Sequence, residues 1–308
     1  MKREDMWLYG IPRVGGKGLK AEKIIDILPE GKRLIDLFGG GGSVSMQASL
    51  SGKYEEVIYN DQDTSLAILF EALLSYGEID FKKFVLPERN KFFYYRDEVL
   101  DNDLDRSIVL TAWTFSNNRT AYLWGRKVHN FYETITRGLV YGDTGMKYDV
   151  LFERCAGKNL NQCKLEFQKF AWETGNDELI FKGSRGERKK RCLRQLETLA
   201  RLERIHDNAP NKINNIEIFN LDYHDVEIRQ DDVLFLDPPY LNTADFYRCN
   251  FDHEAFIDFY TSLPNKDIYI TEYTQLPNTE IIASLRSVQG GFSVGAKKRG
   301  ELLLKVIK

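Results

Sequence analysis

Residues 33–61 constrain the fold more than any other stretch. Arg33 to Phe38 (RLIDLF) is a short apolar run with the length of a buried strand. Four glycines, Gly39 to Gly42, follow at once. SVSMQASLSG then has helical spacing, opening at Ser43 and closing at Gly52. EEVIYND forms a second strand that ends on Asp61. Strand, glycine turn, helix, strand and acid make one βαβ unit, whose crossover is expected to be right-handed. A chain that starts this way belongs to the α/β class.

The flanking sequence extends that pattern. VGGKGLKAEKIIDILP places Ile24, Ile25, Ile27 and Leu28 on one face of a helix entered from the Gly15–Gly16–Lys17 turn. TSLAILFEALLSYG reads as another helix. Alternation then stops. Residues 81–209 are rich in Phe, Tyr, Trp, Asn and Arg, with helical stretches near 104–117, 161–173 and 187–207. In the last of these, Leu193, Leu196, Leu199, Leu202 and Ile205 form an apolar stripe. This segment reads as a mostly helical insert, and residues 1–80 and 210–308 as one domain. In the second half, INNIEIF, VLFL and KDIYITEY are expected strands and FDHEAFIDFYTSL a helix. NTEIIASLR is expected to be a short helix, with GGFSV and ELLLKVI as a final antiparallel pair at the sheet edge.

Composition narrows the class. At 43% hydrophobic and 29% charged, the 308 residues can bury a sizeable core. No apolar run approaches a bilayer span, and no membrane association is expected. MKREDMWLYGIPR lacks the apolar centre of a secretory signal, so a cytoplasmic protein is expected, in a bacterium or a phage-infected cell. Cys155, Cys163, Cys192 and Cys249 form no C-x-x-C pair, and the four histidines are scattered. Neither a disulfide framework nor a metal site is expected.

Two motifs carry the chemistry. The turn reads as F-x-G-x-G through Phe38, Gly40 and Gly42 and leads into a helix N-terminus, where exposed N–H groups can meet a ligand. Asp61, at the end of the next strand, is placed to accept from a ribose diol. Alone, the turn suits either a nucleoside cofactor or an ordinary α/β connection. The second motif is Asp237–Pro238–Pro239–Tyr240, after the apolar strand VLFL. A carboxylate and the rigidly directed Pro238 carbonyl can take both N–H groups of an exocyclic amine, and the Tyr240 ring offers a stacking face. Asp-Pro-Pro can also be a strand-ending turn, but open α/β sheets bind ligands at this end of their strands.

VGGK at 14–17, DLFGGGGSV at 36–44, Asp61 and LDPPY at 236–240, in this order with an insert between, resemble the Dam-type, alpha-group DNA adenine methyltransferases. YGIPRVGGK, Phe115–Ser116–Asn117–Asn118, FDHEAF and ITEY are similar to the phage and prophage branch. The resemblance is good over 9–76 and 213–308 and thin across 81–209. It implies a Rossmann-like, seven-stranded, mostly parallel methyltransferase sheet with a helical target-recognition insert, and S-adenosylmethionine as cofactor. It implies that Lys17 lies at the methionine end of that cofactor, that Phe38, Gly40 and Gly42 pass under it, and that Asp61 binds its ribose. Asp222 and Tyr223 correspond to the segment beside its adenine. Asp237 would contact both the cofactor and the target amine. One position departs from the pattern: Arg13 stands where family members place an aromatic residue near the GGK turn. Tyr9 is the candidate for the missing ring, and the departure bears on cofactor affinity rather than on reaction type.

A third constellation is basic. Residues 182–204 hold nine Lys/Arg against three Glu on a chain of net charge -3. Arg185, Arg188, Lys189, Lys190, Arg191 and Arg194 lie there, and Lys297, Lys298 and Arg299 lie near the carboxyl end. Such runs are either solvated faces or phosphate contacts; beside methyltransferase motifs they read as contacts to double-stranded DNA. Asn117, Asn118 and Arg119 can read base edges or can stabilise the insert around Trp113 and Trp124. The expected activity is site-specific methylation of a flipped adenine, by a monomer or weak dimer, alone or within a restriction–modification pair. A cytosine-amino methyltransferase and an inactive DNA-binding relic are the alternatives, since the motif reads an amine rather than a ring.

Overall fold

The computed structural model describes residues 7–125, 194–241, 251–285 and 300–308, together with Arg154, Lys158, Gln162, Glu166 and Lys169. The chain divides into two compact units, one of residues 1–74 and 208–308 and one of residues 75–207.

The first unit begins with α1 (Ala21–Ile27), β1 (Arg33–Asp36), α2 (Ser43–Ser51), β2 (Glu56–Asn60) and α3 (Thr64–Leu74). Gly42 enters α2 with φ 73°, and Gly52 closes it with φ 71°. At Gly42 a Cβ would also fall 2.1 Å from the Phe70 ring, so only glycine fits there.

A seven-stranded sheet organises this unit. Its later strands are β3 (Ile216–Phe219), β4 (Val233–Leu236), β5 (Ile268–Glu272), β6 (Thr279–Leu285) and β7 (Glu301–Val306). The order is β3-β2-β1-β4-β5-β7-β6. The first five strands are parallel, and β7 runs antiparallel to both β5 and β6. Strand order reverses between β1 and β4, where open α/β sheets leave a crevice at their carboxyl ends.

Strand pleating sends alternate residues to opposite faces. Leu34, Val57, Val233 and Phe235 pack with α1 and α2 on one face. Ile35, Ile58, Leu234 and Leu236 pack on the other with Phe256 and Tyr260 of the α-helix His253–Ser262. Each such fully buried side chain contributes about 1.5–3 kcal/mol. At the amino ends of β1 and β4, Arg33 forks onto Asp232 through two hydrogen bonds of 2.8 and 2.7 Å, both buried.

The second unit is helical among its described residues. A 3-10 turn (Phe81–Phe84) is followed by helices Arg89–Asp97 and Leu104–Ala112, and a further helix spans Arg194–Asn208. Leu196, Leu199, Leu202 and Ile205 of the expected apolar stripe are buried; Leu193 lies outside the described residues. The Trp113 indole N–H donates to the Phe84 carbonyl at 2.6 Å.

Two expectations need correction. NTEIIASLR is not helical: Thr279–Leu285 is β6, the edge strand paired to β7. Its helical spacing yields to the free edge of β7 and to the β-branched Ile281 and Ile282, since pairing context outweighs local pattern. The helix expected over 104–117 ends at Ala112, because Ser116, Asn117 and Arg119 turn the chain with φ near +57° to +59°. GGFSV lies outside the described residues.

Candidate active site

Five parallel strands end on one side of the sheet, and the expected site residues gather there. Asp36 ends β1 with Phe38 two residues further on, and Asp61 succeeds β2. Asp222 and Tyr223 follow β3, and Asp237 follows β4. Thr271 and Glu272 end β5.

The Asp237 end is tightly bonded. Lys17 Nζ donates to Asp237 Oδ2 at 2.5 Å, and the Thr271 hydroxyl donates to Oδ1 at 2.6 Å. Lys17 is 4% exposed. Burial works against its charge, but Asp237 and the Tyr240 hydroxyl outweigh that and hold its pKa well above the ordinary lysine value. The ammonium also sits 5.1 Å from the centre of the Tyr240 ring. Tyr240 meets Tyr273 edge to face at 4.8 Å, and its hydroxyl donates to Glu301 Oε1. Glu301 also pairs with Lys20 and lies 3.2 Å from Lys17 Nζ. Beyond the motif, the Leu241 N–H donates to Glu272 at 2.8 Å. Lys17, Asp237 and Tyr240 are thus brought together, and Pro238 is buried between the last two.

The Asp61 end has a different occupant. Asp61 Oδ2 accepts from the Gly40 N–H at 2.8 Å, and Oδ1 accepts from the Asp63 N–H at 2.8 Å. Arg13 Nη1 donates to the same Oδ2 at 3.3 Å. Burial raises the Asp61 pKa, and the Arg13 guanidinium opposes that rise. Gly40 has φ 54°, and a Cβ there would sit 3.0 Å from Arg13 Nη1. Arg13 therefore lies over the glycine turn and on Asp61. Tyr9 has its backbone against Gly18, where a Cβ would fall 2.7 Å from the Tyr9 Cα. Phe38 packs on Tyr223 at 5.4 Å and on Phe251 at 5.9 Å. Asp222 accepts from the His224 N–H, which holds its carboxylate below the usual range, and from Gln62.

Between the two ends lies Asp36, 1% exposed. Its Oδ2 accepts from the Ser45 hydroxyl at 2.6 Å, while Oδ1 is buried with no hydrogen-bond partner. Burial, with the charges of Asp237 and Asp61, lifts its pKa to about 7 against the pull of Ser45. Asp36, Thr271, Lys20 and Glu301 had no role in the sequence argument. Asp36 and Glu301 do stand inside the quoted runs DLFGGGGSV and ELLL, and Thr271 inside ITEY. An acid in an otherwise apolar strand is the signal that marks Asp36.

The expected DNA contacts divide. Arg185, Arg188, Lys189, Lys190, Arg191, Lys297, Lys298 and Arg299 lie outside the described residues. Asn118 Oδ1 accepts from the Thr114 hydroxyl and from the N–H groups of Thr120 and Ala121 at 3.0–3.1 Å. Asn117 Oδ1 accepts from Arg194 at 3.1 Å, and Arg119 is 9% exposed. Both asparagine oxygens are therefore spent on holding the turn. Among the described residues, no group of three or more His, Cys, Asp or Glu is placed to hold a metal ion, and no helix is long and apolar enough to cross a membrane.

A glycine turn beside a strand-end acid, and an Asp-Pro-Pro-Tyr at the reversal of strand order, define a Rossmann-like ligand-binding site. Within that class, residues 14–134 match the family model of the D12 class N6 adenine-specific DNA methyltransferase. Over that stretch the chain is similar to this family, and the match supports methylation of adenine in DNA as its reaction. The match favours adenine over cytosine as the target ring. No curated protein matches the chain. The matched stretch includes Lys17, the glycine turn and Asp61; Asp237, Tyr240 and Glu301 lie beyond it.

Proposed function

We propose that the chain transfers a methyl group from S-adenosylmethionine to the N6 amine of an adenine flipped out of duplex DNA, with Asp237, Pro238 and Tyr240 clasping that amine. The observation that carries this reading is the setting of Asp237. It ends the strand beside Asp36, at the strand-order reversal, with a proline carbonyl next to it and a tyrosine ring two residues further on.

The side chains fit the cofactor that the family implies. Asp36 Oδ1 is a buried acceptor without a donor, which a ligand ammonium would supply. Asp61 is placed for a ribose diol, and the Phe38–Tyr223 pair offers apolar ring surface beside it. When bound, S-adenosylmethionine supplies an electrophilic methyl carbon on a positively charged sulfur. The chain's own residues do the rest. Asp237 and the Pro238 carbonyl accept the two N–H groups of the amine and turn its lone pair toward the methyl carbon. The Tyr240 ring stacks on the base. As the N–C bond forms and the S–C bond breaks, positive charge moves onto N6. A carboxylate held in place beforehand would stabilise that charge and could accept the proton that the amine sheds.

Residues 75–207 are the proposed target-recognition unit, and the basic residues of 185–194 and 297–299 the proposed phosphate contacts. A DNA substrate puts the reaction in the cytoplasm, and no second copy is required for it. The test is Asp237→Ala, with Asp237→Asn as the variant of equal size. Each is expected to lower methylation of in-vitro-amplified genomic DNA by about 10²–10³-fold or more while unfolding remains cooperative. Near-normal turnover in either variant would remove Asp237 from the mechanism.

A further inference from the structure

Glu301 opens β7, far in sequence from the motifs that assemble the site. Its carboxyl is 5% exposed yet meets three donors. Oε1 accepts from the Tyr240 hydroxyl and lies 3.2 Å from Lys17 Nζ, and Oε2 accepts from Lys20 Nζ. A carboxylate this buried persists only when it is paired, and here both of its oxygens are.

Lys17 is therefore shared. Its ammonium touches Asp237 at 2.5 Å and Glu301 at 3.2 Å. While it rests on Asp237 Oδ2, and Thr271 donates to Oδ1, the negative charge of Asp237 is already spent on a cation. An amine that acquires positive charge needs that carboxylate for itself. Moving a buried ammonium off Asp237 costs much unless a second anion receives it. Glu301 is that anion, already within reach of the same nitrogen, and the same carboxyl tethers the hydroxyl that aims the Tyr240 ring.

We propose that Glu301 is a positioning residue for methyl transfer: it is the second seat of the Lys17 ammonium and the anchor of Tyr240, so that Asp237 can turn its charge to the target amine. This inference rests on the reading of Asp237 given above. It assigns Glu301 no contact with substrate or cofactor. Its effect is exerted through Lys17 and Tyr240, and it falls on the chemical step rather than on cofactor binding.

The test is steady-state transfer of labelled methyl from S-adenosylmethionine to in-vitro-amplified genomic DNA by full-length Glu301→Gln and Glu301→Asp. Glu301→Gln keeps the size and loses the charge. Its kcat is expected to fall about tenfold or more with KM for S-adenosylmethionine within about twofold, and Glu301→Asp to recover most of the loss. Wild-type kcat in folded Glu301→Gln overturns the proposal. So does a lower melting temperature with kcat per folded molecule preserved. If Glu301→Gln does not fold, Tyr240→Phe removes the hydroxyl that Glu301 anchors and keeps the ring. The same split between kcat and KM is then expected, and wild-type kcat again overturns the proposal. Asp237→Ala separates the two readings. An active Asp237→Ala discards the amine clasp itself, whereas an inactive one beside a fully active Glu301→Gln discards the role of Glu301 alone.

Discussion

On the proposed reading the cofactor's ribose takes Asp61, and Arg13 sits on that carboxylate, so removing Arg13 is expected to tighten cofactor binding. Its Nη1 lies 3.3 Å from Asp61 Oδ2 and passes over Gly40. At an effective dielectric constant of about 20, two unit charges at this separation attract by about 5 kcal/mol. Arg13 is 22% exposed, however, so solvent screens the pair, and the released guanidinium regains hydration and rotamer freedom. Exposed ion pairs contribute at most about 1 kcal/mol net. Taking that as the cost of displacement, Arg13→Ala should bind cofactor about fivefold more tightly than the wild-type chain.

Titration calorimetry with S-adenosylhomocysteine measures this, because that product carries the same ribose without the sulfonium charge. The gain is expected at about 50 mM salt and should shrink at about 500 mM, where the ion pair is already weakened. Equal or weaker binding by Arg13→Ala at low salt would refute the reasoning. It would mean that the guanidinium holds the cofactor.

Two further outcomes follow from buried charge. Asp36 has a pKa of about 7 in the folded chain, against about 4 when unfolded, so the native state binds its proton more tightly. Stability therefore falls as pH rises through that window, by up to about 4 kcal/mol from this group. Asp36→Asn removes the titration, and urea denaturation at about pH 5 and pH 8 should show a smaller loss in the variant; parallel losses in the two proteins would contradict the assignment. Asp232→Ala strands the buried Arg33 guanidinium, which keeps only the Glu227 carbonyl at 3.0 Å, and should cost about 3–5 kcal/mol in chemical denaturation. A loss below about 1 kcal/mol would mean that Arg33 finds water.

The legible parts of the molecule are those whose pattern is local. Strand β1, its glycine turn and helix α2 announce themselves through an apolar run, a left-handed residue and a capping glycine, all within twenty residues. Strand β6 does not, because TEIIASL carries apolar residues at both helical and strand spacings, and only the edge of β7 decides between them. In the site, Asp237 and Tyr240 stand out through two adjacent prolines. Glu301 is one glutamate among many until β7 is threaded between β5 and β6, which sets it beside Lys17 and Tyr240. The tie between Arg13 and Asp61 is invisible for the same reason: it depends on the stretch before α1 lying over the glycine turn, where the Ile11 N–H donates to the Gly41 carbonyl at 2.7 Å.

That overlying stretch organises the charge of the whole site. Three carboxylates, Asp61, Asp36 and Asp237, occupy the carboxyl ends of three adjacent strands, β2, β1 and β4. Left alone they would repel one another in a poorly solvated crevice. Two cations four residues apart answer the outer pair, Arg13 on Asp61 and Lys17 on Asp237. Among the described residues the middle acid has no cation beside it, and burial lifts its pKa to about 7. The acid without a cation is therefore at the centre, where on the proposed reading the cofactor, which carries an ammonium, a sulfonium and one carboxylate, would place its ammonium. On that reading the ligand would supply a cation for Asp36 and take Asp61 from Arg13. It would leave Lys17 between Asp237 and Glu301, so that the exchange at Asp237 accompanies the reaction rather than binding.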